Sequence, residues 1–209
     1  MSILYKLASS LGRRDAEPNQ KLAQQIIIRM DTLSIIELIE NTANKIENTQ
    51  ADCIEVLSEI AKYKPELLVE YDAIFIQFLN NRNRNLMLGS LAILDYITRL
   101  KPHSIYKNLP KILEVADSGL LVSKEHGISI LLQLISDEKY AKEAFGLFLD
   151  QFRTCAINLV VKYAEKAADL ISDTYKAEFV KVLHLRMREV ENEIKRDKIM
   201  KVIRVCEIA

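Results

Sequence analysis

Two segments of the chain, 37 residues apart, repeat the same arrangement of apolar residues followed by a Lys-Pro pair. Residues 55–68 read EVLSEIAKYKPELL, and residues 92–105 read AILDYITRLKPHSI. Each contains two adjacent apolar residues, an isoleucine three residues later, and a proline that starts the next segment. The same offset carries Leu94 onto Leu131. A repeat of this length is typical of helical hairpins that stack on one another, so it narrows the possible folds severely.

Apolar residues follow helical spacing along nearly the whole chain, without sustained alternation of apolar and polar residues. The chain has 5 glycines and 4 prolines, whereas average composition at this length gives about 15 and about 10. Because β-sandwiches, β-barrels and Gly-rich nucleotide-binding folds need many turn residues, this composition argues against them. The breaks in the pattern predict about eleven helices, in pairs joined by short turns, and such pairs form antiparallel hairpins.

The pattern predicts one domain over residues 1–209, with a first helix at 2–12 and a closing helix at 193–208. The five repeats between them are expected at residues 18–44, 49–80, 84–117, 121–150 and 153–190. The closing segment is apolar at its packing positions and charged elsewhere, as a terminal repeat that faces water requires. Residues 1–14 contain no acidic residue and have an amphipathic pattern that organelle presequences share. We favour a first helix that packs on the next repeat.

Two segments place a polar loop before a helix of small and branched apolar residues: NRNRNLMLGSLAILDYI at 81–97 and DSGLLVSKEHGISILLQLI at 117–135. Both resemble the opening of a HEAT repeat, and nearly the whole chain resembles the HEAT/armadillo superfamily. The resemblance implies an all-α fold, an α-α superhelix (a HEAT/ARM-like solenoid) of about five helical hairpins with terminal capping helices. The proline lies between the paired helices, whereas HEAT repeats usually carry it inside the first one. The choice between HEAT and another armadillo-type array therefore stays open.

Charge and cysteine usage exclude several classes of protein. The chain has 29 basic and 29 acidic residues, so its net charge favours neither nucleic acid nor an acidic membrane as a partner. The longest stretch without a charged residue, His126–Ser136, falls short of the roughly 20 residues that cross a bilayer. Cys53, Cys155 and Cys206 lie far apart without paired spacing, which indicates reduced structural thiols. We therefore expect a cytoplasmic protein.

No catalytic residue, cofactor or metal site is predicted, and we expect the protein not to be an enzyme. His103, His126 and His184 lie on different repeats, and none has a second metal ligand three or four residues away. Carboxylate pairs such as Glu55 and Glu59 fit the solvated faces of amphipathic helices. The chain contains neither a Gly-rich phosphate-binding motif nor a nucleophile-elbow motif.

Basic side chains concentrate in the third repeat, and they give the candidate binding residues. The resemblance to HEAT/armadillo solenoids implies that second helices line the concave surface that binds partners. We therefore expect Lys107 and Lys111, with Tyr106, to point into the groove, and Arg82 and Arg84 to lie near its rim. Such a set could bind an acidic peptide or a phosphate backbone. The second helices of other repeats add charges of both signs, which favours a protein partner over a polyanion.

The sequence thus predicts a non-catalytic scaffold that binds a protein or peptide on the concave face of the solenoid. Two alternatives stay open. One is a DNA-binding protein similar to the HEAT-like-repeat glycosylases that remove alkylated bases, although zero net charge and the absence of tryptophan argue against it. The other is an obligate subunit or adaptor of a larger assembly, which would expose a large apolar patch when alone.

Overall fold

The structure, a computed structural model, describes residues 2–117 and 120–208, so Met1, Ser118, Gly119 and Ala209 lie outside it. Within these two ranges the regular structure is helical, with no strand. The α-helices are α1 (Glu17–Arg29), α2 (Thr32–Asn41), α3 (Glu47–Tyr63), α4 (Asp72–Phe78), α5 (Arg84–Ile97), α6 (Pro102–Lys107), α7 (Leu109–Ala116), α8 (Leu121–Ile135), α9 (Ala141–Thr154), α10 (Ile157–Ala168), α11 (Asp173–Met187) and α12 (Glu193–Ile208). Short 3₁₀ helices cover Leu4–Lys6, Ser9–Leu11, Pro65–Leu67 and Val69–Tyr71.

The chain forms two compact units, Met1–Gly127 and Ile128–Ala209, and the boundary falls inside α8. In the first unit α3 packs against α1, α2 and α5, while α4 and α7 pack against α5. In the second unit α12 packs against α10 and α11, and α9 packs against α11. A single domain over residues 1–209 stays a prediction.

Equivalent positions of the 37-residue repeat are equally buried. Leu57, Leu94 and Leu131 each have 0% of their surface exposed. The residues three positions later, Ile60, Ile97 and Leu134, are also fully buried. Each full burial of such a side chain contributes about 1.5–3 kcal/mol to folding. The repeated apolar positions therefore form the core-facing stripe of the long helices α3, α5 and α8.

The two Lys-Pro pairs adopt nearly the same backbone conformation. Lys64 has φ −146° and ψ 65°, and Lys101 has φ −133° and ψ 54°. Their N–H groups donate to the carbonyls of Ile60 and Ile97, at 2.7 and 3.0 Å. A residue before proline avoids the helical conformation, and proline is well suited to the first helical position. The pair therefore ends one helix and begins the next in both repeats.

The second half of the third repeat is interrupted, whereas the sequence predicted one helix there. Helix α6 ends at Lys107 and α7 begins at Leu109. Pro110 has no N–H to continue the hydrogen-bond ladder, which explains a break at this point. Asn108 lies between the helices with φ −106° and ψ 10°, and its side-chain amide donates to the Ser104 carbonyl at 2.9 Å.

The N-terminal segment also differs from the prediction of one helix over 2–12. It forms the 3₁₀ helices Leu4–Lys6 and Ser9–Leu11, separated by Leu7 in an extended conformation with ψ 150°. Leu7 is fully buried in the first unit. The segment still packs on the first repeat, but burial of Leu7 and side-chain hydrogen bonds hold it there instead of a regular helix.

The second unit has an aromatic core. Phe148 and Phe152, one turn apart on α9, have ring centroids 5.6 Å apart. Phe179 of α11 lies 5.9 and 5.6 Å from them, and all three side chains have no exposed surface. Aromatic rings at these separations contribute beyond their buried area. This cluster fixes the packing of α9 against α11.

Candidate functional site

The five residues that the sequence singled out lie on one turn and three helices of the first unit. Arg82 is in the turn between α4 and α5, and Arg84 is the first residue of α5; both are exposed. Tyr106 and the exposed Lys107 are on α6, and the half-buried Lys111 is on α7. Their contact with a partner stays a prediction.

Two lysines of the third repeat already have partners within the chain. The Lys111 ammonium donates to the carbonyl of Ile76, at 2.6 Å, in the last turn of α4. A cation at the C-terminal end of a helix is stabilising because helix carbonyls concentrate negative charge there. Lys101 lies 3.2 Å from both Glu70 and Asp72, and hydrogen bonds to these carboxylates raise the pKa of Lys101. Lys101 and Lys111 therefore make contacts within the chain that hold neighbouring elements together.

A groove of about 480 Å³ lies in the first unit, on the long helices α3 and α5 and the N-terminal part of α8. Its walls combine apolar, small and acidic side chains. The lining residues are Ala51, Ile54, Glu55, Ser58 and Glu59 of α3, Asn85, Leu88, Gly89 and Ala92 of α5, and Val122 and His126 of α8. On each helix these residues recur at intervals of three or four, so each helix presents one face. The five residues predicted from the sequence, all within the described ranges, do not line it.

The groove is built from equivalent positions of the repeat. Four pairs of its lining residues are separated by 37 residues. The pairs are Ala51 and Leu88, Glu55 and Ala92, Asn85 and Val122, and Gly89 and His126. The 37-residue repeat in the sequence therefore contains information about which residues form this groove. Sequence reasoning missed it because the partner surface was assigned to the second helices.

Close approach of α3 and α5 forms the floor of the groove. A Cβ atom on Gly89 would lie 2.5 Å from Cγ1 of Ile54, a separation shorter than van der Waals contact allows. Glycine is therefore required for these two helices to pack at this distance. Ile54 is 2% exposed and Ala92 is 9% exposed, so the floor is apolar and largely occupied by side chains.

The α3 wall carries carboxylates. Glu55 is exposed, and the side chain of Glu59, one turn later, is 17% exposed. Glu55 accepts a hydrogen bond from the amide of Asn19 at 2.6 Å, and the same amide donates to Asp52 at 2.9 Å. Lys62 lies 3.6 Å from Glu59. These glutamates, expected on a solvated face, thus face a groove.

Buried Asn19 also connects this wall to the N-terminal segment. Its side-chain oxygen accepts from the N–H of Ala8 at 3.0 Å, and Asp52 accepts from the N–H of Ser9 at 2.8 Å. Because Asn19 is only 1% exposed, its donors and acceptor need partners inside the protein. The polar groups fix α1, α3 and the N-terminal segment relative to one another.

The opposite wall contains a histidine paired with a buried carboxylate. His126 Nδ1 lies 2.8 Å from Asp95 Oδ2, and the two side chains are 19% and 8% exposed. Tyr96 meets the imidazole edge-on, with ring centroids 6.2 Å apart. Burial, and then the charge of Asp95, raises the pKa of Tyr96. This pair could not be predicted from the sequence, because its two residues are 31 positions apart and lie on different helices.

The thiols and the remaining histidines do not form a reactive cluster. Cys53, Cys155 and Cys206 are free, and burial raises the pKa of each thiol, that of Cys53 to about 12. A raised pKa leaves little thiolate at neutral pH, so these are poor nucleophiles. His103 is on α6 and His184 on α11. Among the described residues, no group of three or more His, Cys, Asp or Glu side chains is placed to hold a metal ion.

A second cavity, of about 610 Å³, lies against the N-terminal segment, α1 and α2. Glu37 in its wall accepts from the N–H of Ile3 at 3.2 Å and from the Ser2 hydroxyl. Leu33 in this wall is 77% exposed, and Ile28, on the neighbouring helix, is 82% exposed. One hairpin and the N-terminal segment form this cavity, so it does not use the repeated surface.

No protein-family model and no curated protein matches this sequence. Solved structures of designed proteins do match its fold. A designed armadillo repeat protein in complex with the peptide (KR)4 has a TM-score of 0.68 and 15% identity, with 98% of this chain and 100% of that one covered. A computationally designed armadillo repeat protein for modular peptide recognition has a TM-score of 0.64 and 13% identity over 90% and 92% of the chains. An engineered protein has a TM-score of 0.64 and 15% identity over 100% and 98%.

The fold of this chain is therefore an armadillo/HEAT-type helical repeat, as the sequence predicted. None of the described helices combines the length and the apolar composition needed to cross a membrane.

Proposed function

We propose that the protein is a non-catalytic repeat module that binds a peptide, or an extended segment of another protein, in the groove on α3, α5 and α8. The observation that carries this proposal is the groove itself, because three successive long helices line it and neighbouring helices contribute residues that are 37 positions apart. Repetition of the same face creates a surface longer than any one helix pair offers. The proposal also places the protein in the cytoplasm, in keeping with its three free thiols.

The dimensions of the groove suit an extended chain. Packed helices lie about 8–10 Å apart, so a surface on three of them is about 20 Å wide. An extended peptide rises about 3.3 Å per residue, and about six residues would cover that width. The side-chain amide of Asn85 and the carboxylates of Glu55 and Glu59 can bond polar groups of such a chain, while Leu88 and Ala92 offer apolar contact.

Two of the structural neighbours support this function. One was designed for modular peptide recognition, and another is in complex with a peptide. Both are designed scaffolds, which also favours a binding role over catalysis for this chain. The two glutamates oppose the binding of phosphate groups in the groove, so the proposal does not extend to nucleic acid.

A role as a subunit of a larger assembly is a second candidate, favoured by the apolar surface at the first hairpin. Ile28 and Leu33 are 82% and 77% exposed, and Tyr5 and Met30 are each 53% exposed. Tyr5 and Leu33 line the same cavity, and exposed apolar side chains that lie together are common where proteins associate. Sedimentation of the purified chain at increasing concentration distinguishes the candidates, since self-association or aggregation favours the subunit role.

The groove proposal is tested by blocking the groove with one side chain. Val122 lines it and is 52% exposed, while Val205, on α12, is 54% exposed and does not line it. Twelve-residue peptides are selected from a random display library on the wild-type chain, and their Kd values are measured by fluorescence anisotropy. We expect Val122→Trp to weaken the selected peptides at least about tenfold, while Val205→Trp leaves Kd unchanged. Failure to select any peptide, or equal binding by Val122→Trp, contradicts the proposal.

A further inference from the structure

We propose that the occupant of the groove is a basic segment, whose lysine or arginine side chains pair with Glu55 and Glu59. This inference rests on the function proposed above and specifies the chemistry of the partner. It differs from the acidic partner that the basic residues of the third repeat suggested, because those residues do not line the groove.

The charge of the groove is the first observation. Among the described residues that line it, two are glutamates and none is lysine or arginine. Asp52, three residues before Glu55 on α3, adds a third carboxylate beside these two, since the same Asn19 amide donates to Asp52 and to Glu55. Lys62 lies 3.6 Å from Glu59, but its side chain is 46% exposed, so water screens this pair strongly. The α3 wall therefore keeps a net negative charge.

The neighbours of these carboxylates on the N-terminal side are neutral donors. Asn19 donates to Glu55 and Asp52, and the N–H of Ser9 donates to Asp52. These donors carry no charge, so they leave the negative charge of the carboxylates in place. Glu55 and Glu59 are one turn apart and repel each other, so a cation brought by a ligand would relieve an unfavourable interaction.

The apolar floor is the second observation, and it adds to the selectivity. Ile54, Leu88 and Ala92 lie beside the glutamates in the same groove. Lysine and arginine combine a long aliphatic stem with a cationic head, so the stem can cover this floor while the head reaches the carboxylates. An aspartate or glutamate of a ligand would instead meet like charges. The negative charge of the glutamates and the apolar floor of the groove together favour ligands with lysine or arginine side chains.

The test measures the binding of three labelled eight-residue peptides to the full chain by fluorescence anisotropy. One peptide alternates lysine and arginine, one alternates aspartate and glutamate, and one consists of serine and glycine. The variant Glu55→Gln/Glu59→Gln removes two charges from the groove. The control Glu193→Gln/Asp197→Asn removes two charges at the same spacing from exposed positions of α12.

We expect the wild-type chain and the control to bind the basic peptide equally, and the groove variant to bind it about tenfold or more weakly. We also expect this difference to shrink at high salt. Failure of the basic peptide to bind, or equal loss in the groove variant and the control, overturns the inference. If only an acidic or neutral peptide binds, and Val122→Trp abolishes that binding, the inference falls while the proposed function stands. If no peptide of any charge binds and library selection also yields none, the proposed function falls.

Discussion

Lys107 and Lys111 lie four residues apart in the sequence but in different surroundings. Lys107 is exposed on α6, whereas the ammonium group of Lys111 donates to the carbonyl of Ile76 in the last turn of α4. The sequence assigned both to one partner-binding set. In the structure Lys111 makes a contact within the chain. Mutation of Lys111 should therefore change the free energy of unfolding, whereas mutation of Lys107 should not.

We predict that Lys111→Met lowers the free energy of unfolding by about 1 kcal/mol, because the last turn of α4 loses a charged hydrogen-bond donor. Methionine keeps most of the aliphatic stem, so the change removes the charge and the hydrogen bond rather than the packing. Lys107→Met is the control and should stay within about 0.5 kcal/mol of the wild type, as exposed substitutions usually do. Urea denaturation measures both. A Lys111→Met protein as stable as the wild type would show that this contact contributes nothing and that Lys111 is available to a partner.

Polar contacts of this kind could not be predicted from the sequence. Lys111 and Ile76 are 35 residues apart, His126 and Asp95 are 31 apart, and Asn19 reaches Asp52 across 33. Each contact depends on how two helices pack, and no local pattern encodes it. The buried apolar positions could be predicted, because helical periodicity alone identifies the stripe of residues that faces the core.

At the scale of helices and turns, the sequence predicted well those features that depend on neighbouring residues in the chain. The first Lys-Pro pair ends α3, and α6 begins at the proline of the second pair, because proline restricts the residue before it and suits the first helical position. The interruption at Asn108 was missed, although Pro110 indicates it. The packing of α3 against α5 depends on the absence of a side chain at Gly89, which only the structure shows.

Two glycines allow this close packing to be tested with a matched pair. Gly89→Ala should lower the free energy of unfolding by about 1–3 kcal/mol, because the new methyl group would overlap the Ile54 side chain. Gly146, on α9, has nothing within 4 Å of the position of its Cβ, and Gly146→Ala should stabilise the protein by about 0.5–1 kcal/mol through helix propensity. Chemical denaturation compares the two variants. If Gly89→Ala stabilises the protein like Gly146→Ala, α3 and α5 do not approach as closely as described.

At the scale of the whole molecule, the repeat predicted the all-helical architecture, but it left the partner surface undetermined. Each of the two compact units has its own buried core, and the groove belongs entirely to the first. The prediction placed partner contacts on second helices, whereas the groove lies on the long first helices. Choosing between these faces requires knowing which side chains converge, and that depends on packing between repeats rather than on periodicity within one.

Hydrogen exchange of the full chain, with and without a saturating amount of the Lys/Arg peptide, tests the central claim most directly. A ligand in the groove should slow exchange of backbone amides on the helices that it covers, by suppressing local opening. We expect protection at residues 51–59, 85–92 and 122–126 and little change on α6, α7 and α12. Protection centred on residues 104–111 instead, or no protection at peptide concentrations that saturate anisotropy, would contradict the assignment of the binding surface to α3, α5 and α8.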